Sequence, residues 1–153
     1  MTTDAPAATR ARRVTLVALI AITIGAGLLV HRFGEGMVGD IVGDALYAVM
    51  IYLFVAVVFP RRPAAWRATG AVAVCFAIEL LQLTGLPRAW SSVFPPVQLV
   101  FGSGFDPRDL LVYASAVLLA HITEGVLGRM LRAKRPMRED ARGRPPEGER
   151  PLI

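Results

Sequence analysis

The sequence contains a single cysteine and no short motif that identifies a chemistry. Cys75 on its own excludes an intramolecular disulfide, and its apolar neighbours indicate a small packing side chain. The two histidines are not at metal-ligand spacing, so we predict no metal site and no cofactor. A nucleophile elbow, a phosphate-binding loop and a dinucleotide fingerprint are also missing from the sequence. These absences leave open whether the chain is an enzyme at all.

Charge is missing from two long stretches of the chain. Residues 14–30 and 45–59 contain no charged side chain, although charged residues make up 19% of the sequence and hydrophobic residues 54%. An apolar excess gathered into blocks is typical of a membrane protein. The net charge of +5 could indicate nucleic-acid binding. Because the basic residues flank the apolar blocks, we expect a lipid bilayer around the chain and no nucleic-acid partner.

Four segments are apolar enough to cross the hydrocarbon core, which takes about 20 residues of helix. The first follows three arginines and lacks a cleavage site, so we interpret it as a retained span rather than a signal peptide. The second must reach back past Asp44, because residues 45–59 alone are too short. Asp40 is interpreted as the N-cap of this span. The predicted spans are residues 14–30, 41–59, 68–85 and 110–128, an all-α, four-helix membrane domain over residues 14–128.

Basic residues are distributed unequally between the two sides of these spans. Fourteen of the seventeen Lys and Arg residues lie in segment 1–13, in loop 60–67 or after residue 128. Cytoplasmic segments carry an excess of Lys and Arg, so both termini are predicted to be cytoplasmic. Residues 129–153 then form a basic tail, rich in Arg, Pro, Glu and Gly, for which we expect disorder. Its first part either attracts anionic lipid or is only a topological signal.

The long loop between the third and fourth spans, residues 84–109, carries an apolar run in its middle. Residues 93–101 are too few to cross a membrane, and the pair Pro95-Pro96 cannot continue a helix. We predict that this loop lies in the outer interface or dips into the bundle as a re-entrant segment.

Under this topology the polar residues gather on the outer side. Glu79 is the most informative, because a carboxylate within a span must face the bundle and have a partner. Glu79 and Gln82 are spaced i, i+3, and Asp109 and Tyr113 are spaced i, i+4, so each pair shares a helix face. The candidate catalytic acids are Asp44, Glu79 and Asp109. The complete predicted polar cluster is Arg32, Asp44, Glu79, Gln82, Arg88, Asp106, Asp109 and Tyr113.

Several of these residues have a structural interpretation as well. Asp106 followed by Pro107 is typical of a helix N-cap and its first residue. Arg32 and Arg88 are either counter-ions of the carboxylates or plain interfacial anchors. Glu79 could hold helices together through an arginine or Gln82 instead of acting on a ligand. His121 and Glu124, spaced i, i+3 on the fourth span, could extend a proton relay from Glu79 or be satisfied locally.

Some of these motifs resemble known membrane proteins. The run Glu79-Leu-Leu-Gln82, then Arg88, then the run Asp109-Leu-Leu-Val-Tyr113 resemble the VanZ-like proteins. Runs 43–48 (Gly-Asp-Ala-Leu-Tyr-Ala) and 101–105 (Phe-Gly-Ser-Gly-Phe) add a closer resemblance to short bacterial membrane proteins of unknown function. The resemblance covers about residues 12–128. This chain departs from it where Tyr113 replaces an Asn and Ser115 replaces a common Gly.

The resemblance implies a location in the bacterial cytoplasmic membrane. VanZ is associated with resistance to the glycopeptide teicoplanin, so the resemblance also implies a role at the cell envelope. It supplies no mechanism, and function has to be argued from the site.

Three functions remain open from the sequence. The first is binding of, or reaction with, an envelope lipid or glycan precursor at the outer cluster, where carboxylates would suit acid–base chemistry. The second is a non-enzymatic structural or partner-binding membrane protein. The third is a small oligomeric proton-coupled transporter that uses Glu79, His121 and Glu124. The oligomeric state is not determined by the sequence.

Overall fold

The computed structural model describes residues 4–102 and 104–143 of the 153-residue chain. These residues contain α-helices and no strand. Four helices within the described part are long and apolar enough to cross a membrane, over Arg10–Phe33, Gly36–Val58, Ala64–Gln82 and Pro107–Leu131. The predicted all-α, four-span architecture is therefore confirmed. The helices are α1 (Asp4–Phe33), α2 (Gly36–Val58), α3 (Ala64–Gln82), α4 (Leu86–Val93), α5 (Val97–Phe101) and α6 (Pro107–Gly143).

The chain divides into two compact units within α6. One unit extends to His121 and the other begins at Ile122. The packing and the polar contacts reported below lie in the first unit.

Helix α2 begins earlier than predicted. Its first residue is Gly36, after Glu35 as the N-cap, so the span does reach back past Asp44. Asp40 lies inside this helix, and the N-cap role predicted for it is wrong. The physical reason is the tight turn between α1 and α2. A Cβ on Gly39 would lie 2.9 Å from the backbone of Gly34, so only the bare backbones can approach this closely.

Helix α3 is shifted toward the N-terminus relative to its predicted range of residues 68–85. It begins at Ala64 after Pro63, because proline is readily accommodated where a helix starts. Arg67, predicted to lie in a loop, is in the first turn of this helix and is only 4% exposed. The helix ends at Gln82, and a turn through Gly85 leads into α4.

Helix α6 extends further than its predicted range of residues 110–128. It continues to Gly143, into the segment for which disorder is expected. Met130, Leu131 and Ala133 are good helix formers, and adding residues to an existing helix requires no new nucleus. The rest of the predicted tail, residues 144–153, lies outside the described residues.

The hydrophobic core lies between α2, α3 and α6. Alanines occupy several of its buried positions, and small side chains allow helices in a membrane to approach closely. The Cys75 thiol is buried there, as its packing role predicts. Helix α1 packs against α2, and Ile20 is the one buried side chain among those described in α1. The core consists of Ala48, Tyr52, Ala71, Cys75, Tyr113, Ala116 and Val117.

The connection between α3 and α6 contains the two short helices α4 and α5. Helix α4 ends at Val93, the pair Pro95-Pro96 forms a turn, and α5 follows. The predicted helix break at the two prolines is confirmed. This connection returns the chain to the end of the bundle where α2 begins and α3 ends.

Candidate functional site

Glu79 is fully buried on α3, one turn before the helix ends. Its Oε1 atom accepts a hydrogen bond from the Tyr113 hydroxyl on α6 at 3.0 Å. Its Oε2 atom accepts a second from the backbone N–H of Asp106 at 3.4 Å. Glu79 faces the bundle, as its depth predicts, and the partners found for it are a tyrosine and a backbone amide. It thereby joins α3 to α6 and to the residue that precedes α6.

Two further carboxyl groups lie beside Glu79. The side chain of Asp44 on α2 is half-buried and makes a hydrogen-bonding contact with Asp109 on α6. Asp44 and Asp109 both interact electrostatically with Glu79. We call Asp44, Glu79 and Asp109 the carboxylate cluster. Three carboxyl groups from three different spans thus meet at one end of the bundle.

Arg108 brings a positive charge to this cluster. Its Nε atom lies 3.6 Å from Oδ1 of Asp109, and its charge also acts on Asp44. The same guanidinium lies 3.3 Å from Asp106. Arg108 therefore forms ion pairs with two acids at the start of α6.

A short stretch of backbone before α6 is tied to the spans. The Tyr47 hydroxyl on α2 donates a hydrogen bond to the carbonyl of Val100 at 2.7 Å. Nε2 of Gln82 donates one to the carbonyl of Phe101 at 2.6 Å, and Asp106 donates its N–H to Glu79. We call residues 100–102 and 104–106 the tethered segment. All three of these bonds are made by backbone atoms of the segment.

Asp106 caps α6 at the same place. Its Oδ1 atom accepts the backbone N–H of Arg108 at 2.9 Å, and Pro107 is the first helical residue. The cap predicted from the sequence is confirmed. The side chain of Asp106 is therefore engaged at the helix start, while its backbone N–H holds Glu79.

Substituting Asp106 with alanine is expected to lower the free energy of unfolding by about 1 kcal/mol, the usual cost of a lost N-cap. Asp106→Asn should retain most of the stability, because asparagine caps about as well as aspartate. Reversible unfolding in mixed micelles measures both variants. Equal losses in the two would show that the charge of Asp106, and not its cap, stabilises the helix.

The two arginines of the predicted cluster are placed differently. Arg32 is exposed at the end of α1, and its guanidinium lies 5.4 Å from the ring centroid of Phe33. Arg88, on α4, is exposed but reaches the tethered segment, since a Cβ on Gly104 would lie 3.1 Å from its guanidinium. The structure thus brings Arg88 close to the site, whereas the contact found for Arg32 is with the adjacent Phe33. The binding roles assigned to both stay predictions.

Sequence reasoning missed Tyr47 and Arg108 as residues of the site. The available signal for Tyr47 was its i, i+3 spacing from Asp44, which places both on one helix face. The available signal for Arg108 was its position directly between Pro107 and Asp109. The ring of Tyr47 also lies beside that of Tyr113, with centroids 6.2 Å apart.

An apolar groove of about 360 Å³ lies between α3 and α6, away from the carboxylate cluster. The half-buried His121 is one of its lining residues, and Glu124 follows in the second unit. The relay suggested for these two residues stays a prediction. Among the described residues, no group of His, Cys, Asp and Glu side chains is placed to hold a metal ion. The groove is lined by Ala68, Thr69, Val72, Ala114, Val117, Leu118 and His121.

Comparison with known proteins gives one match. Residues 33–116 match the sequence model of a family described as "Protein of unknown function (DUF2809)". No curated protein and no solved structure matches the chain. The matched range includes all three residues of the carboxylate cluster. The predicted likeness to a family of unknown function is confirmed, and the relation to VanZ-like proteins stays a prediction.

Proposed function

We propose a function chiefly from the site, because the chain belongs to the DUF2809 family of proteins of unknown function. The site best supports a membrane protein that binds, or acts on, a molecule of the cell envelope. The observation that carries this proposal is the convergence of Asp44, Glu79 and Asp109 from three spans. Ionisable groups within spans are costly and characteristically mark functional sites. A purely structural role would need only one hydrogen bond between helices, and it does not explain why three carboxyl groups meet.

The three carboxyl groups have different positions and therefore different proposed roles. Glu79 is fully buried and both of its hydrogen bonds are internal, which fits a positioning residue. Asp44 is half-buried, and the side chain of Asp109 is 12% exposed. These two are the groups that we assign to contact with a ligand.

The charge of the site favours a particular ligand chemistry. Three adjacent carboxyl groups disfavour an anion and attract a group that brings positive charge or hydroxyl donors. An amine-bearing or sugar-bearing headgroup of an envelope lipid or glycan precursor meets this requirement. If a reaction follows binding, Asp44 and Asp109 are placed to take up and release a proton, since two adjacent carboxyl groups suit general acid–base chemistry.

The proposed location is the bacterial cytoplasmic membrane, with both termini in the cytoplasm. Two observations support it: the unequal distribution of Lys and Arg between the two sides, and the sequence resemblance to bacterial membrane proteins. In this orientation the carboxylate cluster lies at the extracytoplasmic end of the bundle.

Ligand retention tests the proposal. The wild-type protein, extracted into lipid nanodiscs and examined by native mass spectrometry, is expected to retain a headgroup-bearing molecule. Asp44→Asn and Asp109→Asn should each lower retention by about 10-fold or more, because a hydrogen bond to a charged group contributes roughly 1.5–3 kcal/mol.

Asp40→Asn is the matched control. It makes the same chemical change on α2, at an exposed position one turn from Asp44, and should retain the ligand fully. The proposal is wrong if the wild-type protein retains nothing, or if all three variants retain as much as the wild type.

A non-enzymatic structural role is the second candidate. It is favoured by Glu79 itself, whose two carboxylate oxygens both bind atoms of the protein. In that case substitutions in the carboxylate cluster lower stability and the purified protein carries no specific ligand. Measuring unfolding and ligand retention on the same samples separates the two candidates.

A further inference from the structure

Helix α4 has two opposite faces of different chemistry. At 3.6 residues per turn, Leu86, Trp90 and Val93 fall within about 60° on one side. They are 44%, 43% and 86% exposed, and Phe94 continues this apolar surface at 60% exposed. Large apolar side chains on one helical face, this far exposed, require a cover.

The polar side chains of α4 lie on the other side. Arg88, Ser91 and Ser92 fall within about 100° of one another, centred opposite the apolar face. Both serine hydroxyls donate to carbonyls of their own helix, so this face is polar but internally satisfied. Pro87 lies between the two faces and is fully buried against the bundle. Helix α4 therefore contacts the rest of the protein along the side that carries Pro87. Its apolar face and its polar face lie on either side of this contact.

The apolar face continues a surface that the membrane already covers. Leu80 and Leu83, at the end of span α3, are 62% and 59% exposed. Three residues later, after the turn at Gly85, the apolar face of α4 begins. A tryptophan is in addition the side chain most typical of the membrane–water interface.

We propose that α4 is a membrane-surface helix whose apolar face, Leu86, Trp90, Val93 and Phe94, binds the interfacial layer of the lipid bilayer. Ser92 on its polar face then points to water, and Pro87 holds the helix on the bundle. The helix leads through α5 into the tethered segment, so lipid contact and the carboxylate cluster meet at the same membrane surface. A ligand borne by the membrane would reach Asp44 and Asp109 laterally, at headgroup depth. The lipid contact itself does not rest on the proposed ligand function.

Fluorescence quenching tests the lipid contact. The chain has two tryptophans, so the full-length Trp66→Phe variant reports on Trp90 alone. The variant is reconstituted into vesicles whose lipids carry bromine either close to the headgroup or close to the end of the acyl chain. Shallow bromine should quench Trp90 strongly, deep bromine weakly, and aqueous iodide weakly.

Two other outcomes overturn the proposal. Strong quenching by iodide with none by brominated lipid means that the face lies in water. Protection from both quenchers means that another protein surface, such as a second copy of the chain, covers it. Both results are independent of whether the carboxylate cluster binds a ligand.

A pair of matched substitutions tests which face is responsible. In the Trp66→Phe protein, Val93→Asp places a charge on the apolar face and should lower quenching by shallow bromine at least about twofold. Ser92→Asp makes the same charge on the polar face and should leave it unchanged. Equal effects of the two variants contradict the proposal. If the Val93→Asp variant does not fold, the quenching pattern of the Trp66→Phe protein alone decides whether the apolar face contacts lipid.

Discussion

Replacing Glu79 with leucine is expected to lower the free energy of unfolding by about 2–4 kcal/mol. Leucine removes the acceptor of the Tyr113 hydroxyl and of the Asp106 N–H. Each buried donor left unsatisfied costs roughly 1–3 kcal/mol. The loss of the two hydrogen bonds themselves would lower the free energy of unfolding by less than this, since hydrogen bonds between helices in membranes contribute about 0.6 kcal/mol each on average. The expected loss therefore comes mainly from the unsatisfied donors, the buried Tyr113 hydroxyl above all and the part-buried Asp106 N–H.

Glu79→Gln is the variant to compare with it, because the amide oxygen of glutamine can still accept one of the two hydrogen bonds that Glu79 accepts. It should lose about 1 kcal/mol, well below the leucine variant. Asp40→Leu, at an exposed position of α2, should change stability by at most about 0.5 kcal/mol. Reversible unfolding in mixed detergent micelles measures all three. A leucine variant as stable as the wild type would mean that Glu79 does not hold α3 and α6 together.

Gly102→Ala is expected to be the second most damaging substitution, with a loss of about 2–4 kcal/mol. Gly102 has φ +68° and ψ −176°, a conformation that only glycine adopts readily, and the strain for another residue is about 1–3 kcal/mol. A Cβ here would also run into Nε2 of Gln82. The amide would have to move and give up its bond to Phe101, at a further cost of about 1 kcal/mol.

Two other glycines serve as controls for this prediction. Gly85 has φ +74° but no atom within 4 Å of the added carbon, so Gly85→Ala measures strain alone. Gly25 lies within α1 with open space around it, and Gly25→Ala should be neutral or stabilising by up to about 1 kcal/mol. Stability should fall in the order Gly25→Ala, Gly85→Ala, Gly102→Ala. A Gly102 variant no less stable than the Gly85 variant would contradict the tethering of the segment.

Sequence reasoning could predict features that depend on one element at a time. The four spans follow from apolar length, and the cap at Asp106 follows from the residues beside it, because both are local signals. The inward orientation of Glu79 follows from the cost of a carboxylate in lipid. Its partner Tyr113 could not be predicted, since it depends on how α3 and α6 are rotated relative to each other.

The errors at the helix ends have the same origin. The early start of α2 depends on the close approach of Gly34 and Gly39 across the turn, a contact that no periodicity reveals. Arg67 resembled a loop residue because it follows other basic residues, yet the helix begins before it, at Ala64 after Pro63. The role of Tyr47 required the return of the chain from α4 and α5, which places Val100 against α2. The site thus depends on tertiary contacts between segments, and the sequence of each segment gives no local signal of these contacts.

Cross-linking between Asp44 and Asp109 tests most directly whether α2 and α6 meet at the carboxylate cluster. Cysteines are placed at both positions in a Cys75→Ala background and treated, in native membranes, with a short bifunctional thiol reagent. The side chains are in contact in the structure, so rapid and nearly complete intramolecular cross-linking is expected. The control pair, cysteines at Asp40 and Asp109, should react slowly. No cross-link between positions 44 and 109, with both cysteines reactive toward a single-headed reagent, would contradict the existence of the carboxylate cluster.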